Sequence, residues 1–491
     1  MTKPKNVTRI LIVLPYLFSV RDFLFSRVCD LVEQEGDLEI TILGNASLRT
    51  IIREKDLKSF KVMELGALDP LKAKSGLRGW LRWQFNFLDK YLFDAVKLRW
   101  GFVNDLNFVN VFSAKSRNEQ KKYEQFFDFR KGVGPSRPFP RSRKLYEALL
   151  YIRDKCLFRH VDPAHVGLLK NYDFDFVLLG RFEMPIRVFY WLRLFKTANL
   201  PVYSIVGSWD HPTTKGPPSP LIRKFIVASR AMTGQMGKYS GIDESRIAQI
   251  GKVQMDMYAE ADSPKAIELL KQSGFDDWEN YILFCPNTTG LKEHEVSIAA
   301  YLARNVEQKK LGSRLLIRCH PQDKNWKRDF LPLDNGDSVR VIQASGFDPA
   351  RDDLSKSQDD PLLLAALIRL SGVVVQSRGS IALDAIAQDK PVISINFDGD
   401  LELVCDADTF ALENTYHHYA PLVEAGGVEI VSSYEELIES IATFIETPNR
   451  GSEGRKRVLE DHLAPLDGRA AERLVECLQQ FGRESVADSE N

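Results

Sequence analysis

Between Val373 and Ile393 the chain reads VVVQSRGSIALDAIAQDKPVI, a run with the parts of an anion site. An apolar strand gives way to a small polar loop, Ser377–Ser380, and a helix is expected to begin at once. Gly379 lets a ligand approach the backbone, Ser380 can cap, and the free N–H groups of the first turn lie beside the charge of Arg378. Asp384 follows Ser380 by about one helical turn and could accept hydrogen bonds from ribose hydroxyls. Arg318-Cys319-His320-Pro321 leaves the end of another apolar run, where ligands bind in open α/β sheets, and a guanidinium with an imidazole suits a diphosphate. Asn287-Thr288-Thr289-Gly290 offers a further cradle of hydroxyl and backbone groups. Each has a plain alternative: an ordinary capped helix, an Arg and His paired with acids such as Asp323, and a simple turn. Together they put phosphate-compatible groups at three strand ends in one half of the chain.

Metal chemistry is not expected. Asp-x-Asp occurs at Asp173/Asp175, Asp398/Asp400 and Asp406/Asp408, and three occurrences in an acid-rich chain carry little information. The six cysteines are far apart with no CxxC, so neither a zinc site nor a disulfide scaffold is supported. His417 and His418 are adjacent and point in different directions, which suits a loop better than a metal site.

The elements that must position these groups alternate strand and helix. Arg9–Leu14 and Leu38–Leu43 are solid apolar runs of the kind found in parallel sheets, with a helix expected over Val20–Gln34 between them. Asp175–Leu179, a helix at Met184–Thr197, Pro201–Val206, Phe225–Ala228, a helix at Ser229–Ser240 and Arg246–Ile250 continue the pattern. An acidic stretch at Ala259–Trp278 reads as a link. A second series then follows: strands at Tyr281–Phe284, Leu315–Cys319, Val339–Gln343, Gly372–Gln376 and Pro391–Asn396, and helices at Leu362–Leu370, Ser380–Gln388, Tyr434–Glu446 and Arg469–Gln480. The expected fold class is therefore α/β, with two Rossmann-like, doubly wound parallel-sheet domains facing a cleft. The expected division is 1–262, 263–466 and a C-terminal helix and tail at 467–491, with a helical insertion at about 50–165.

The chain has 491 residues, 44% of them hydrophobic and 27% charged, with a formal net charge of −1. That excludes a largely disordered chain and one basic throughout, so no nucleic-acid partner is expected. The charge is uneven. Residues 71–160 hold 20 Lys/Arg against 8 Asp/Glu and 18 Phe/Trp/Tyr. Helices such as GWLRWQFNFLDKYLFDAVKLRWGF either form an inserted subdomain with an aromatic core or present a basic, aromatic face to a membrane surface or an anionic substrate. The N-terminus contains Pro15 and lacks a small-x-small cleavage site, so it reads as a buried strand rather than a secretory signal. The longest charge-free run, Thr197–Trp209, falls short of the ~20 residues needed to cross a bilayer. A cytoplasmic location, with possible peripheral attachment to the inner face of a membrane, is expected.

RCHPQD at 318–323, VVVQSRGSIALDAIAQDKPVISINFDG at 373–399, IGKVQMDMY at 250–258 and PLDGRAAERL at 465–474 resemble segments of GT-B glycosyltransferases of the bacterial surface-polysaccharide type. That broad group includes UDP-N-acetylglucosamine 2-epimerase-like and CDP-glycerol glycerophosphotransferase-like proteins. The resemblance implies a metal-independent transferase with a nucleotide-sugar donor, no separate cofactor, and a glycan or lipid-linked acceptor. It makes Ser377, Arg378, Gly379 and Ser380 the diphosphate loop, Asp384 the ribose acid, and Arg318 and His320 residues of the phosphate or catalytic pocket. SWDHPTTKG at 208–216 resembles an N-domain loop of such proteins, in which Asp210 and His211 could form an acid/base pair. Their alternative is a turn with Asp210 capping and His211 solvated. Retaining members often carry Glu eight residues before the ribose acid. Here that residue is Gln376, which favours inversion and a general base among Asp22, Glu183, Asp210 and His211. A CDP-glycerol-type phosphotransferase and a non-catalytic nucleotide-sugar or glycan-binding module are the alternatives.

Overall fold

The computed structural model describes residues 7–14, 17–68, 143–156, 161–180, 187–287, 292–321, 323–344, 359–377, 379–397, 399 and 416–490. The aromatic, basic run at 79–102 lies outside the described residues, as do Glu183, Thr288, Thr289 and Arg378. The chain divides into two compact units. One lies within Met1–Leu106, Pro140–Gln254 and Arg469–Asn491, and the other spans Met255–Gly468.

The first unit is built on a parallel sheet of β1 (Thr8–Val13), β2 (Leu38–Gly44), β3 (Phe60–Glu64), β4 (Phe176–Leu179), β5 (Val202–Ile205), β6 (Lys224–Val227) and β7 (Ile247–Gln249), in the order β3-β2-β1-β4-β5-β6-β7. The second holds β8 (Tyr281–Cys285), β9 (Leu315–Cys319), β10 (Val339–Gln343), β11 (Ser371–Gln376), β12 (Val392–Ile395) and β13 (Glu429–Val431), also all parallel, in the order β10-β9-β8-β11-β12-β13. Apolar runs form the central strands because both faces are covered: Ile10–Val13, Val177–Leu179, Tyr281–Phe284 and Val373–Val375 have no exposed surface. This is the doubly wound α/β class expected from the strand–helix alternation. In each sheet the order reverses once, between β1 and β4 and between β8 and β11, and those reversals open the crevices where such sheets bind ligands.

Several local expectations change. The helix expected over Val20–Gln34 is two, Leu17–Leu24 and Arg27–Glu35. Ser26 is extended (φ −132°, ψ 176°) and its hydroxyl accepts from the Val28 N–H at 3.2 Å, so it starts a new helix rather than continuing the old one. Asp22 therefore falls near the end of the first helix, not at its start. The acidic stretch at 259–278 is structured: a helix, Pro264–Ser273, is capped by Ser263 and ended by Gly274 at φ 73°. The division between the units falls at Gln254/Met255.

The C-terminal helix, Ala470–Glu490, belongs to the first unit. Phe481 stacks on Tyr203 with centroids 4.0 Å apart and meets Phe176 edge-on, while Glu484 pairs with Lys224 at 2.6 Å. Gly482 permits this approach, since a Cβ there would lie 2.6 Å from the Thr8 side chain. Among the described residues no helix is long and apolar enough to cross a membrane.

Candidate functional site

The second sheet collects its polar side chains at the carboxyl ends of β8, β9, β11 and β12. Ser377 follows β11 and is fully buried. Its hydroxyl donates to Glu295, and its carbonyl accepts from Ser394 Oγ at 3.2 Å. The Ser377 proton is therefore engaged within the protein. Gly379 has φ 127°, a conformation that side-chain-bearing residues rarely adopt, so glycine is required there for its backbone as well as its small size. Ser380 departs from expectation. It is helical (φ −68°, ψ −14°) with no side-chain cap, and the following helix is short, Ile381–Ile386. A cap needs extended backbone so that the hydroxyl can turn back onto the helix, and Ser380 lacks it.

Asp384 lies on that helix, half-buried, and its Oδ1 accepts from the Tyr258 hydroxyl at 2.9 Å. Burial and then the Asp384 charge hold the Tyr258 hydroxyl well above its usual pKa, so it remains a donor. The backbone carbonyl of Tyr258 accepts from Gln388 Nε2 at 2.9 Å. The segment Val253–Glu260 is thus fastened at two points to the helix that carries Asp384.

At the end of β9, Arg318 is 7% exposed, and its Nη2 lies 2.8 Å from both carboxylate oxygens of Asp360, itself 6% exposed. Its ion-pair partner is Asp360, from the helix Asp360–Leu370, rather than the nearby acid Asp323 of the plain alternative. Burial opposes the guanidinium charge, the Asp360 carboxylate outweighs it, and the balance raises the Arg318 pKa. Arg318 Nε has no hydrogen-bond partner among the described residues. Nearby, burial pushes the Cys285 thiol up to about 12, with Arg318 opposing and Asp384 and Glu295 reinforcing the rise. His320 is half-buried just past β9, and its carbonyl accepts from the Asp323 N–H at 2.9 Å and from Gln343 Nε2 at 3.3 Å.

Gln376 is fully buried, and its Nε2 lies 2.6 Å from the Tyr419 hydroxyl. The last strand residue before the loop is thus an amide packed into the core. Asp210 and His211 are in the first unit, following β5. His211 is 1% exposed rather than solvated, with Nε2 4.0 Å from Asp210 Oδ1. Asp210 accepts from Ser208 Oγ at 2.5 Å and Thr214 Oγ1 at 2.8 Å, which orients its carboxylate at the start of the short helix His211–Thr214.

Sequence reading missed Glu295, Tyr258 and Asp360. Glu295 had a visible signal: with Ile298, Ala299, Leu302, Ala303 and Val306 it lies on the buried stripe of the helix Lys292–Glu307, a carboxylate where the period calls for an apolar residue. The pairings of Tyr258 and Asp360 had none, because their partners lie 126 and 42 positions away.

Two parallel doubly wound sheets in one chain define the GT-B class of fold, and solved structures of that class match along almost the whole chain. An S. aureus MnaA–UDP co-structure aligns at TM-score 0.51 and 11% identity, over 97% of each chain. A putative UDP-N-acetylglucosamine 2-epimerase from Listeria monocytogenes aligns at 0.51 and 12%, again over 97% of each. The UDP-GlcNAc 2-epimerase from Methanocaldococcus jannaschii aligns at 0.50 and 12%, over 96% of this chain and all of that one. No curated protein matches the sequence. Residues 209–480, more than half the chain, match the CDP-glycerol:poly(glycerophosphate) glycerophosphotransferase family, and the chain belongs to that family. The matched span begins just before Asp210 and His211 and includes the whole of the second sheet.

Proposed function

We propose that the protein is a glycosyltransferase that takes a sugar from a nucleoside-diphosphate donor bound at the strand ends of the second sheet and transfers it, with inversion, to a glycan or lipid-linked acceptor in surface polysaccharide or glycolipid synthesis. The observation that carries this reading is the β8/β11 crevice, flanked by the Ser377–Ser380 loop and followed by the half-buried carboxylate of Asp384. The S. aureus structure of the same fold is a complex with UDP, which supports a nucleotide as the ligand. Inversion is supported by Gln376: an amide packed against Tyr419 supplies no carboxylate nucleophile at that strand end. The base that deprotonates the acceptor is then Asp210 or His211, with His320 on the donor side.

Family membership favours a second reading, transfer of glycerophosphate from CDP-glycerol, which uses the same diphosphate site but attacks phosphorus. Incubation with UDP-, GDP- and CDP-linked donors separates the two. Glycosyl transfer releases a nucleoside diphosphate and leaves a glycosidic product; glycerophosphate transfer releases CMP and leaves a phosphodiester. Tight nucleotide binding with no turnover of any donor and any acceptor would instead indicate a binding module.

A lipid-linked acceptor requires contact with a bilayer, and residues 71–160 are where such contact is proposed. The described part of this stretch, the helix Arg143–Cys156, exposes Leu145, Tyr151 and Ile152 beside Arg143 and Lys144. Each basic residue near an anionic surface adds about 1 kcal/mol. Co-sedimentation with vesicles containing phosphatidylserine is expected at low salt and lost at high salt. Reversing the charges of Arg78, Arg82, Lys97 and Arg99 should abolish it; unchanged binding in that variant would leave these residues no role at a membrane.

A further inference from the structure

Glu295 is fully buried, yet its carboxylate faces the end of the sheet where an anionic donor is proposed to bind. A carboxylate so enclosed is costly unless its oxygens are hydrogen-bonded, and both are. Oε2 accepts from the Asn287 N–H at 2.8 Å, just past β8. Oε1 accepts from the Ser377 hydroxyl, just past β11. These two strands flank the reversal of strand order. One side chain therefore ties together the two loop origins on either side of the crevice. Ser394 completes the hold on Ser377 from β12, donating to its carbonyl at 3.2 Å. The residue that begins the glycine-containing loop is fixed by both its hydroxyl and its carbonyl.

We infer that Glu295 is a positioning residue for the donor diphosphate, holding Ser377, after β11, in register with Asn287, after β8, so that the backbone at Gly379 is presented to the anion. This inference rests on the nucleotide-donor reading above and assigns it a residue outside the loop itself. Glu295 does not touch the donor. It acts through Ser377 and Asn287, and its own negative charge works against anion binding.

That opposition gives the test its sign. Coulomb's law alone says that deleting a negative charge beside a diphosphate tightens binding. Positioning says that binding weakens, because the amide of Glu295→Gln can accept from only one of its two donors and turns an NH2 toward the other. Calorimetric titration of the full chain with UDP, CDP, GDP and the matching nucleosides reads the difference. In Glu295→Gln the affinity for whichever diphosphate the wild type binds should fall roughly tenfold, the size of one lost hydrogen bond to a charged group, while the matching nucleoside binds as before. Ser377→Ala keeps the carboxylate and should show the same selective loss, so it carries the test if Glu295→Gln does not fold. The double variant should lose no more than the worse single, as expected of residues acting in one chain of contacts. Diphosphate binding that is unchanged or tighter in both single variants overturns the assignment, as does an equal loss for nucleoside and diphosphate. If the wild type binds none of UDP, CDP and GDP, the donor reading itself fails and the inference falls with it.

Discussion

Arg318→Ala should destabilise the second unit by about 3–5 kcal/mol, the usual effect of leaving one member of a buried ion pair alone. The pair is well enclosed: both side chains are under a tenth exposed, and one guanidinium nitrogen contacts both Asp360 oxygens at 2.8 Å. Without Arg318 the Asp360 carboxylate must stay charged without that partner, take up a proton, or open the helix Asp360–Leu370 to water. Asp360→Asn should cost a similar amount by stranding the guanidinium. The double replacement Arg318→Met with Asp360→Leu should recover most of either loss, since apolar groups of similar volume need no partner. Urea unfolding followed by fluorescence measures all three. A loss below about 1 kcal/mol in both single variants would mean the pair is solvated, as surface pairs are.

Asp384→Ala should reduce affinity for ribonucleotides by about tenfold to a hundredfold, from the ~1.5–3 kcal/mol carried by hydrogen bonds to a charged group. The Tyr258 hydroxyl occupies Oδ1, which leaves Oδ2 to receive a ribose hydroxyl and fixes the plane in which it does so. The loss should be much smaller for 2′- and 3′-deoxy analogues, which cannot make the full contact. Equal losses for ribo and deoxy forms would remove Asp384 from ribose binding and leave it as the anchor for Tyr258. Because the tyrosine is buried, Asp384→Ala also strands its hydroxyl, so Asp384→Asn, which keeps an acceptor, is the cleaner comparison.

How far the sequence could be read follows from the range of the forces involved. Strand positions were legible because a parallel strand covered on both faces must be apolar throughout, as RILIV, YILF and GVVVQ are. The strand ends carrying Arg318, His320 and Ser377 followed directly. Helix breaks depend on one hydroxyl choosing between competing partners, so the interruption at Ser26 and the absence of a cap at Ser380 were not visible. Pairings between distant positions were hidden altogether. Arg318 read as a phosphate ligand because nothing in its neighbourhood revealed Asp360, and Asp384 read as an open carboxylate because nothing revealed Tyr258. Glu295 was the exception, a charged residue on an otherwise buried stripe, whose significance appeared only once Asn287 and Ser377 were found at its two oxygens.

The central claim, that the second sheet binds a nucleoside diphosphate at the β8/β11 crevice, is tested most directly by a crystal structure of the full chain grown with UDP or CDP. The diphosphate should contact the backbone of the Ser377–Ser380 loop near Gly379, with a ribose hydroxyl on Asp384 and the Glu295–Ser377 hydrogen bond intact. A nucleotide bound at any other strand end, or with its ribose away from Asp384, would contradict the account.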